Sequence, residues 1–212
     1  MRETATTGAT GGVTRHVYDA AGKSQLRFTV DAMGGVTEYR YNAFGQCTTS
    51  MHYAATLYTG TGSQQADLDS WVAAGATRSQ ATRTDMTYDF RGQLATSTVY
   101  DSLDASGNGL NGAATTTYVY DQAGNLLKTI APAGGVTQYI YDGLGRLLTT
   151  VNALNNTITN TYGDSTRINA TTDFNGNVTR NVHDLDDRLI YTVDGIGAVT
   201  KYDYDAIGNV VQ

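Results

Sequence analysis

The sequence predicts an all-β protein, an extended meandering strip of short β-hairpins, and three observations support this prediction. A Tyr-Asp pair or a close variant of it returns about every 21 residues along the second half of the chain. Turn sequences of the type Asp-x-x-Gly recur about every 10 or 11 residues. Between the turns, side chains alternate as they do in strands. Each repeat therefore carries two strands and depends on its neighbours for stability.

The Tyr-Asp pairs set the period of the strip. They are Tyr120-Asp121, Tyr141-Asp142, His183-Asp184 and Tyr204-Asp205, with Tyr162-Gly163 at the remaining position. In Asp-x-x-Gly the carboxylate can accept a hydrogen bond from the backbone two residues on, and the glycine takes the positive φ that closes a type I turn with a bulge. We expect the structural repeat positions to be Tyr120, Asp121, Gly124, Tyr139, Tyr141, Asp142, Gly145, Tyr202, Tyr204, Asp205 and Gly208.

Strand alternation predicts that one face of the sheet keeps its tyrosines. Tyr139 and Tyr141 share one parity, whereas the opposite parity, which includes Gln138, varies freely between repeats. The returning strands carry apolar pairs at matching offsets, namely Leu126 with Ile130, Leu147 with Val151 and Leu189 with Val193. We expect these side chains to intercalate between the tyrosines, so that a Tyr/Leu ladder forms the packed face of the sheet.

The repeated motif resembles the YD repeat of the RHS family over nearly the whole chain. The resemblance rests on Tyr-Asp-x-x-Gly-(Asn/Arg)-Leu, as in residues 141–147, and on Gly-x-Val-Thr-x-Tyr-x-Tyr-Asp, as in residues 197–205. It implies a long hairpin strip that spirals into a hollow shell in bacterial RHS proteins, insecticidal toxin complexes and teneurins. In the toxin members, that shell encloses a C-terminal effector. A strip of about sixteen strands is expected to curl, because open twisted sheets rarely exceed ~10 strands.

We interpret residues 1–212 as a single array cut from a longer polypeptide, with insertions at about 52–84 and 101–113. A rival fold is a propeller, since two repeats have the four strands of one blade. The equivalence of every second strand favours the continuous meander.

The first insertion contains the one helix that the sequence predicts, near residues 63–75. Ser63 is the expected N-cap, and Gly75 is the expected left-handed stop. Leu68, Trp71 and Val72 form the apolar stripe between them. We expect Trp71 to pack against the strip and not to serve as a ligand platform.

Composition excludes several classes of function. The 14 basic and 20 acidic residues give a net charge of −6, which argues against nucleic acid as a partner. No apolar run approaches the ~20 residues that cross a bilayer, and no secretory signal is evident. Cys47 is the single cysteine, which excludes an internal disulfide. A secreted or bacterial cell-surface location is implied by the family resemblance alone.

Few residues suggest chemistry. His16, His52 and His183 lie in separate repeats, and no metal, nucleophile or phosphate motif is present, so the sequence predicts no enzyme activity and no cofactor. Asp104, Ser106 and Asn108 are a weak candidate calcium loop, because Thr115 stands where a closing Glu would be. A plain polar turn is the preferred interpretation of that loop.

The leading hypothesis is a non-enzymatic structural module in the wall of a hollow β-shell or stalk, with neighbouring repeats of the same polypeptide as its partners. An enclosed C-terminal effector is a further possible partner. The alternative is an adhesin module that binds neutral glycans.

The family's self-cleaving core segment carries Asp-Pro-x-Gly signatures, but Pro132 is the one proline here and follows an alanine. No protease activity is therefore carried over.

Overall fold

The computed structural model describes residues 3–7, 12–22, 24–62, 64–163 and 167–211. The described residues form one antiparallel sheet of sixteen strands in sequence order, together with one α-helix and a short 3-10 helix, Arg78–Gln80. The predicted all-β meander and its strand number are confirmed. The elements are β1 (Glu3–Thr7), β2 (Val13–Tyr18), β3 (Leu26–Val30), β4 (Val36–Tyr41), β5 (Cys47–Tyr53), α1 (Gln65–Gly75), β6 (Thr82–Tyr88), β7 (Leu94–Val99), β8 (Ala114–Tyr120), β9 (Leu126–Ile130), β10 (Val136–Tyr141), β11 (Leu147–Val151), β12 (Thr157–Tyr162), β13 (Ile168–Thr172), β14 (Val178–His183), β15 (Leu189–Val193) and β16 (Val199–Lys201).

In several hairpins that are closed by a Tyr-Asp type turn, a β-bulge lies next to the turn. In the β10/β11 hairpin, Ile140 lies opposite Thr149, whereas the next residue, Tyr141, lies opposite Leu147. The same shift occurs at Tyr18, Tyr41, Tyr88, Tyr162 and His183. A bulge of this kind places two residues of one strand opposite a single residue of its partner and interrupts the ladder there.

Strand β1 precedes the repeat motifs that the sequence shows, and no strand was predicted there. In the structure β1 pairs with β2, and Thr4 lies opposite His16. Its sequence, Glu-Thr-Ala-Thr-Thr, has no apolar alternation, so periodicity gave no strand signal.

The protein divides into two compact units, Met1–Thr117 and Tyr118–Gln212. The core of the first unit lies on the face that the sequence left variable. Val36 and Glu38 are buried there, and the residues directly opposite them share their face. These opposite residues are Phe28, Val30, Met51 and Tyr53. In this unit the expected packed face of tyrosines is therefore wrong, and Tyr39 and Tyr41 are only half-buried.

Helix α1 belongs to the core of the first unit. Leu68 and Val72 are buried, and Trp71 meets the rings of Tyr53 and Tyr58 edge-on, with centroids 5.6 and 5.8 Å away. The prediction that Trp71 packs against the strip is confirmed. The apolar surface of four strands is thus removed from water, which is the main stabilising contribution in this unit.

The helix ends differ from the sequence expectation. The expected cap, Ser63, lies outside the described residues, and the Asp67 carboxylate accepts a hydrogen bond from the Gln64 N–H at 3.0 Å. The helix includes Gly75 and is followed by Ala76 with φ of −57°. The expected left-handed stop at Gly75 is therefore wrong, since the backbone leaves the helix in an extended conformation.

A charged residue is buried on the core face of the first unit. Glu38 is 5% exposed and accepts hydrogen bonds from the Tyr53 hydroxyl at 2.9 Å and from Arg40 Nε at 2.8 Å. Burial, followed by the neighbouring Glu38 carboxylate, raises the pKa of Tyr53 to about 12. These donors satisfy the carboxylate, which would otherwise oppose folding strongly.

The second unit lacks such a covering element among its described residues. Its apolar side chains are mostly half-buried, and Asn160 is buried. Val151 lies opposite Gln138, which places it on the variable face and not beside Tyr139. Ile130 and Val193 lie opposite Val136 and Arg180 and share that face. The expected Tyr/Leu ladder is thus wrong for the second member of each apolar pair.

Candidate functional site: the Tyr-Asp turns and the bulge carbonyls

The turn after Tyr141 shows what the Asp-x-x-Gly motif does. One oxygen of Asp142 accepts hydrogen bonds from the N–H groups of Leu144 and Arg146, both at 2.9 Å. The Gly145 N–H donates to the Asp142 carbonyl at 3.0 Å, and Gly145 has φ of 76°. The carboxylate therefore accepts hydrogen bonds from two backbone N–H groups of the turn. Glycine supplies a backbone conformation that other residues adopt only at a cost in free energy.

The same hydrogen bonds recur at turns throughout the described residues, although Asn155 and Asp187 take the place of the positive-φ glycine in two of them. The first residue of each such turn is Asp31, Asn42, Asp89, Asp104, Asn152, Asp173, Asp184, Asp194 or Asp205, and asparagine serves because its Oδ1 is also an acceptor. At Asp142, the backbone N–H of Arg146 and then its side chain hold the pKa of the carboxyl below its usual range. Hydrogen bonds to the ionised form have this effect.

The tyrosine that precedes the turn has a second role, which the sequence did not reveal. In four of the described repeats its hydroxyl reaches the adjacent strand and donates to the backbone carbonyl of the residue at the previous bulge. The contacts join Tyr41 to Leu26 (2.8 Å), Tyr88 to Cys47 (2.7 Å), Tyr162 to Leu147 (2.9 Å) and Tyr204 to Leu189 (2.7 Å). Because a bulge interrupts the ladder, its carbonyl requires a donor from elsewhere, and the tyrosine provides it.

Two asparagines supply the same kind of donor. Leu147 also receives Asn160 Nδ2 at 3.1 Å, so its carbonyl has two donors. Where His183 replaces the tyrosine, Asn181 Nδ2 approaches the Ile168 carbonyl at 3.4 Å. Each asparagine stands two residues before the tyrosine position. Side-chain periodicity could not have identified them, because their role is defined by a backbone group on another strand.

Arginine links some turns to the next tyrosine. Arg146 Nε lies 2.6 Å from the Asp142 carboxylate, and its guanidinium stands 4.5 Å from the Tyr162 ring centroid. Arg188 makes the same pair of contacts with Asp184 and Tyr204, at 2.7 and 5.2 Å. Cation–π contact thus fixes the ring whose hydroxyl satisfies the bulge.

The remaining predicted repeat residues lie in the second unit. Tyr120 ends β8, and Asp121 begins a turn closed by Gly124 with φ of 93°. Tyr139 lies opposite Thr150 and is half-buried. Beyond β16, the backbone N–H of Tyr202 donates to Ile190, Tyr204 forms a bridge with Val210, and Gly208 has φ of 88°. The importance of these eleven residues for stability stays a prediction.

The candidate calcium loop is occupied by its own hydrogen bonds. Asp104 accepts the N–H groups of Ser106 and Asn108 through one oxygen, and Asn108 Nδ2 through the other at 3.0 Å. Within the described ranges, no group of three His, Cys, Asp or Glu is placed to hold a metal ion. His16 and His52 each contact one threonine, at 3.2 and 3.1 Å.

A groove of about 620 Å³ lies in the first unit between two turns of adjacent hairpins. Phe44 and Phe90 stand at its rim and are 90% and 96% exposed. Its other lining includes Gln46, Tyr88 and Arg91, the last paired with a turn aspartate.

Neither α1 nor the 3-10 helix is long and apolar enough to cross a membrane, and no other helix was found in the described residues.

Residues 120–157 match the RHS Repeat family model. No curated protein gave a match to this sequence. Solved structures do match it: the crystal structure of TcdB2-TccC3 has 18% identity and a TM-score of 0.56, over 98% of this chain and 12% of that chain. The structure of the Photorhabdus luminescens Tc holotoxin pore with a mutated TccC3 has 19% identity and a TM-score of 0.54, over 98% and 11%. This chain therefore spans roughly one eighth of those chains, and the likeness shows a shared fold.

Proposed function

We propose that this protein, whose repeats are RHS repeats, forms part of the wall of a hollow β-shell or stalk in a large secreted or surface protein. The observation that supports this most strongly is the strand order, in which each of the described strands bonds to its neighbours in the sequence. A strip of this kind extends by adding hairpins. Almost the whole chain aligns with a small part of the much longer TcdB2-TccC3 chain, as a segment of a wall would.

The internal bonding of the repeats suits a structural role. The turn carboxylates, the bulge carbonyls and the arginines are bound within the strip, as at Asp142, Leu147 and Arg146. Groups bound in this way hold the hairpins in register and leave few side chains free for chemistry. The protein is accordingly proposed to be non-enzymatic, with neighbouring repeats of its own polypeptide as partners.

An enclosed C-terminal effector is the finer part of the proposal. Its support is indirect: one of the matching structures is that of TcdB2-TccC3 without its hypervariable C-terminal region. Electron microscopy of the complete polypeptide to which these repeats belong tests the wall directly. We expect hollow particles, and solid compact particles or open filaments would contradict the proposal.

The glycan-binding alternative is tested separately on residues 1–212 with a panel of neutral glycans. We expect no binding, and we expect Tyr139→Ala and Tyr202→Ala each to lower the melting temperature, because both rings are half-buried in the strip. Gln138→Thr changes an exposed side chain on the variable face and is the control, which should change nothing. If a neutral glycan binds and Tyr202→Ala abolishes binding without changing the melting curve, this segment is a binding module and not a wall.

A further inference from the structure

The sequence contains three Asn-Gly pairs, which are the dipeptides most prone to spontaneous deamidation. They are Asn108-Gly109, Asn111-Gly112 and Asn175-Gly176, and all three asparagines are exposed. In this reaction the backbone nitrogen of the glycine attacks the amide carbon of the asparagine side chain. Glycine favours it because no Cβ hinders the approach. Sequence and exposure therefore rank the three pairs equally, and only their hydrogen bonds distinguish them.

Two of the pairs are held by their turns. The Asn108 N–H and its Nδ2 both donate to the Asp104 carboxylate, at 2.8 and 3.0 Å, and Gly109 forms a bridge with Leu103. The Asn175 N–H donates to the Asp173 carboxylate at 2.8 Å, and the Gly176 N–H donates to the Asp173 carbonyl at 3.1 Å. In the first pair the reacting group that is held is the side-chain amide, because the hydrogen bonds beside the Leu103–Gly109 bridge are made by the N–H groups of Asp104 and Leu110; in the second pair it is the glycine N–H. Attack on either asparagine therefore requires the hydrogen bond of one reacting group to break first.

The third pair is not held in this way. Asn111 and Gly112 lie in the irregular segment between the Leu103–Gly109 bridge and strand β8. Within the described part of the protein, neither the Asn111 amide nor the Gly112 N–H makes a hydrogen bond. Neither the nucleophile nor the side-chain amide of this pair is therefore held by a hydrogen bond.

The fold also keeps glycine at position 112. Gly112 has φ of 68°, which disfavours any side chain, and the Asp101 carboxylate occupies the space that a Cβ would need. Replacement of Gly112, which would slow the reaction, is therefore opposed by the local structure. The Asn111-Gly112 pair therefore lies at a position where the loop itself requires glycine.

We propose that Asn111 is a site of spontaneous deamidation in the folded protein. The Gly112 nitrogen bonds to the Asn111 amide carbon Cγ, the bond between Cγ and Nδ2 breaks, and ammonia leaves with the proton of the Gly112 N–H. Water then opens the five-membered imide at either carbonyl, giving aspartate or isoaspartate. The product adds one negative charge beside Asp101, and isoaspartate also lengthens the backbone of the loop by one carbon.

The test is timed peptide mass mapping of the folded protein at mildly alkaline pH, with the same incubation in concentrated urea as reference. In the folded protein we expect conversion at Asn111 to be about fivefold faster than at Asn108 or Asn175, the factor expected when one ordinary hydrogen bond must break first. In urea the three rates should converge. Equal rates in the folded protein, or faster conversion at Asn175, would overturn the proposal.

A pair of variants supplies an independent readout. Asn111→Gln should remove the fast phase of ammonia release from the folded protein, whereas the matched change Asn175→Gln should leave that phase intact. If Asn111→Gln leaves the fast phase unchanged, the site lies elsewhere and the proposal is wrong.

Discussion

Removal of a single hydroxyl tests the role of the repeat tyrosine. Tyr41→Phe keeps the ring but deletes the donor that reaches the Leu26 carbonyl at 2.8 Å. Among the described residues that carbonyl has no second side-chain donor, in contrast to Leu147, which also receives Asn160 Nδ2. An unsatisfied buried carbonyl costs about 1–3 kcal/mol. Because Tyr41 is half-buried, we expect Tyr41→Phe to lower the free energy of unfolding by about 1–2 kcal/mol.

Two further variants make this a graded series. Tyr162→Phe should lower the free energy of unfolding by only about 0.5–1 kcal/mol, because Asn160 still donates to Leu147. When Asn160→Ala is added to Tyr162→Phe, the loss should exceed the sum of the two single changes, since both donors serve one carbonyl. Tyr191→Phe is the control, because its ring is 36% exposed and its hydroxyl makes no hydrogen bond to any described residue.

Urea denaturation measures the effect. Trp71 is the single tryptophan and lies in the core of the first unit, so its fluorescence follows the unit that contains Tyr41. Far-UV circular dichroism follows the changes at Tyr162 and Tyr191. A midpoint for Tyr41→Phe equal to that of the wild-type protein, or a larger loss for Tyr162→Phe than for Tyr41→Phe, would refute the reasoning about the bulge carbonyls.

Four other outcomes follow from the same geometry. Gly145→Val should lower the free energy of unfolding by about 1–2 kcal/mol, since the φ of Gly145 is 76°. The control variant Gln138→Thr should have the melting temperature of the wild-type protein. If both variants melt at the same temperature, the assignment of Gly145 to the turn is wrong. Leu68→Ala should destabilise the first unit by about 2–4 kcal/mol, measured by Trp71 fluorescence, and a neutral result would mean that α1 does not cover the core. The pKa of a turn aspartate such as Asp142 is lowered in the folded protein, so its ionised carboxylate stabilises the fold fully above about pH 4, and this stabilisation is lost as pH falls through the folded pKa. Thermal melts across this range should show a falling melting temperature, and a constant melting temperature would contradict the expectation. Millimolar calcium should leave the melting temperature unchanged, because the Asp104 carboxylate is committed to its own turn; a rise that Asp104→Ala abolishes would establish a calcium site.

The sequence predicted those parts of the fold that depend on neighbouring residues. The turn at Asp142 closes through atoms within five residues, so its type, its glycine and its interval follow from local chemistry. The strand number and the pairing of consecutive strands follow from that interval, because short turns bring such strands together. The Tyr-Asp turns form as the sequence predicts, whereas the hydrogen bond of their tyrosine was not predicted, and the importance of these residues stays a prediction.

What the sequence did not determine depends on groups far apart in the polypeptide. The buried face of the first unit was decided by α1, which lies in an insertion, contacts β3, and contributes Leu68 and Val72 to the buried cluster. Alternation shows that a strand has two faces, but it does not show which face a distant segment will cover. In the same way, the hydroxyl of Tyr88 meets the carbonyl of Cys47, 41 residues earlier. That contact joins a side chain to a backbone group at a bulge on the paired strand, so only the tertiary structure shows what the tyrosine hydroxyl does there.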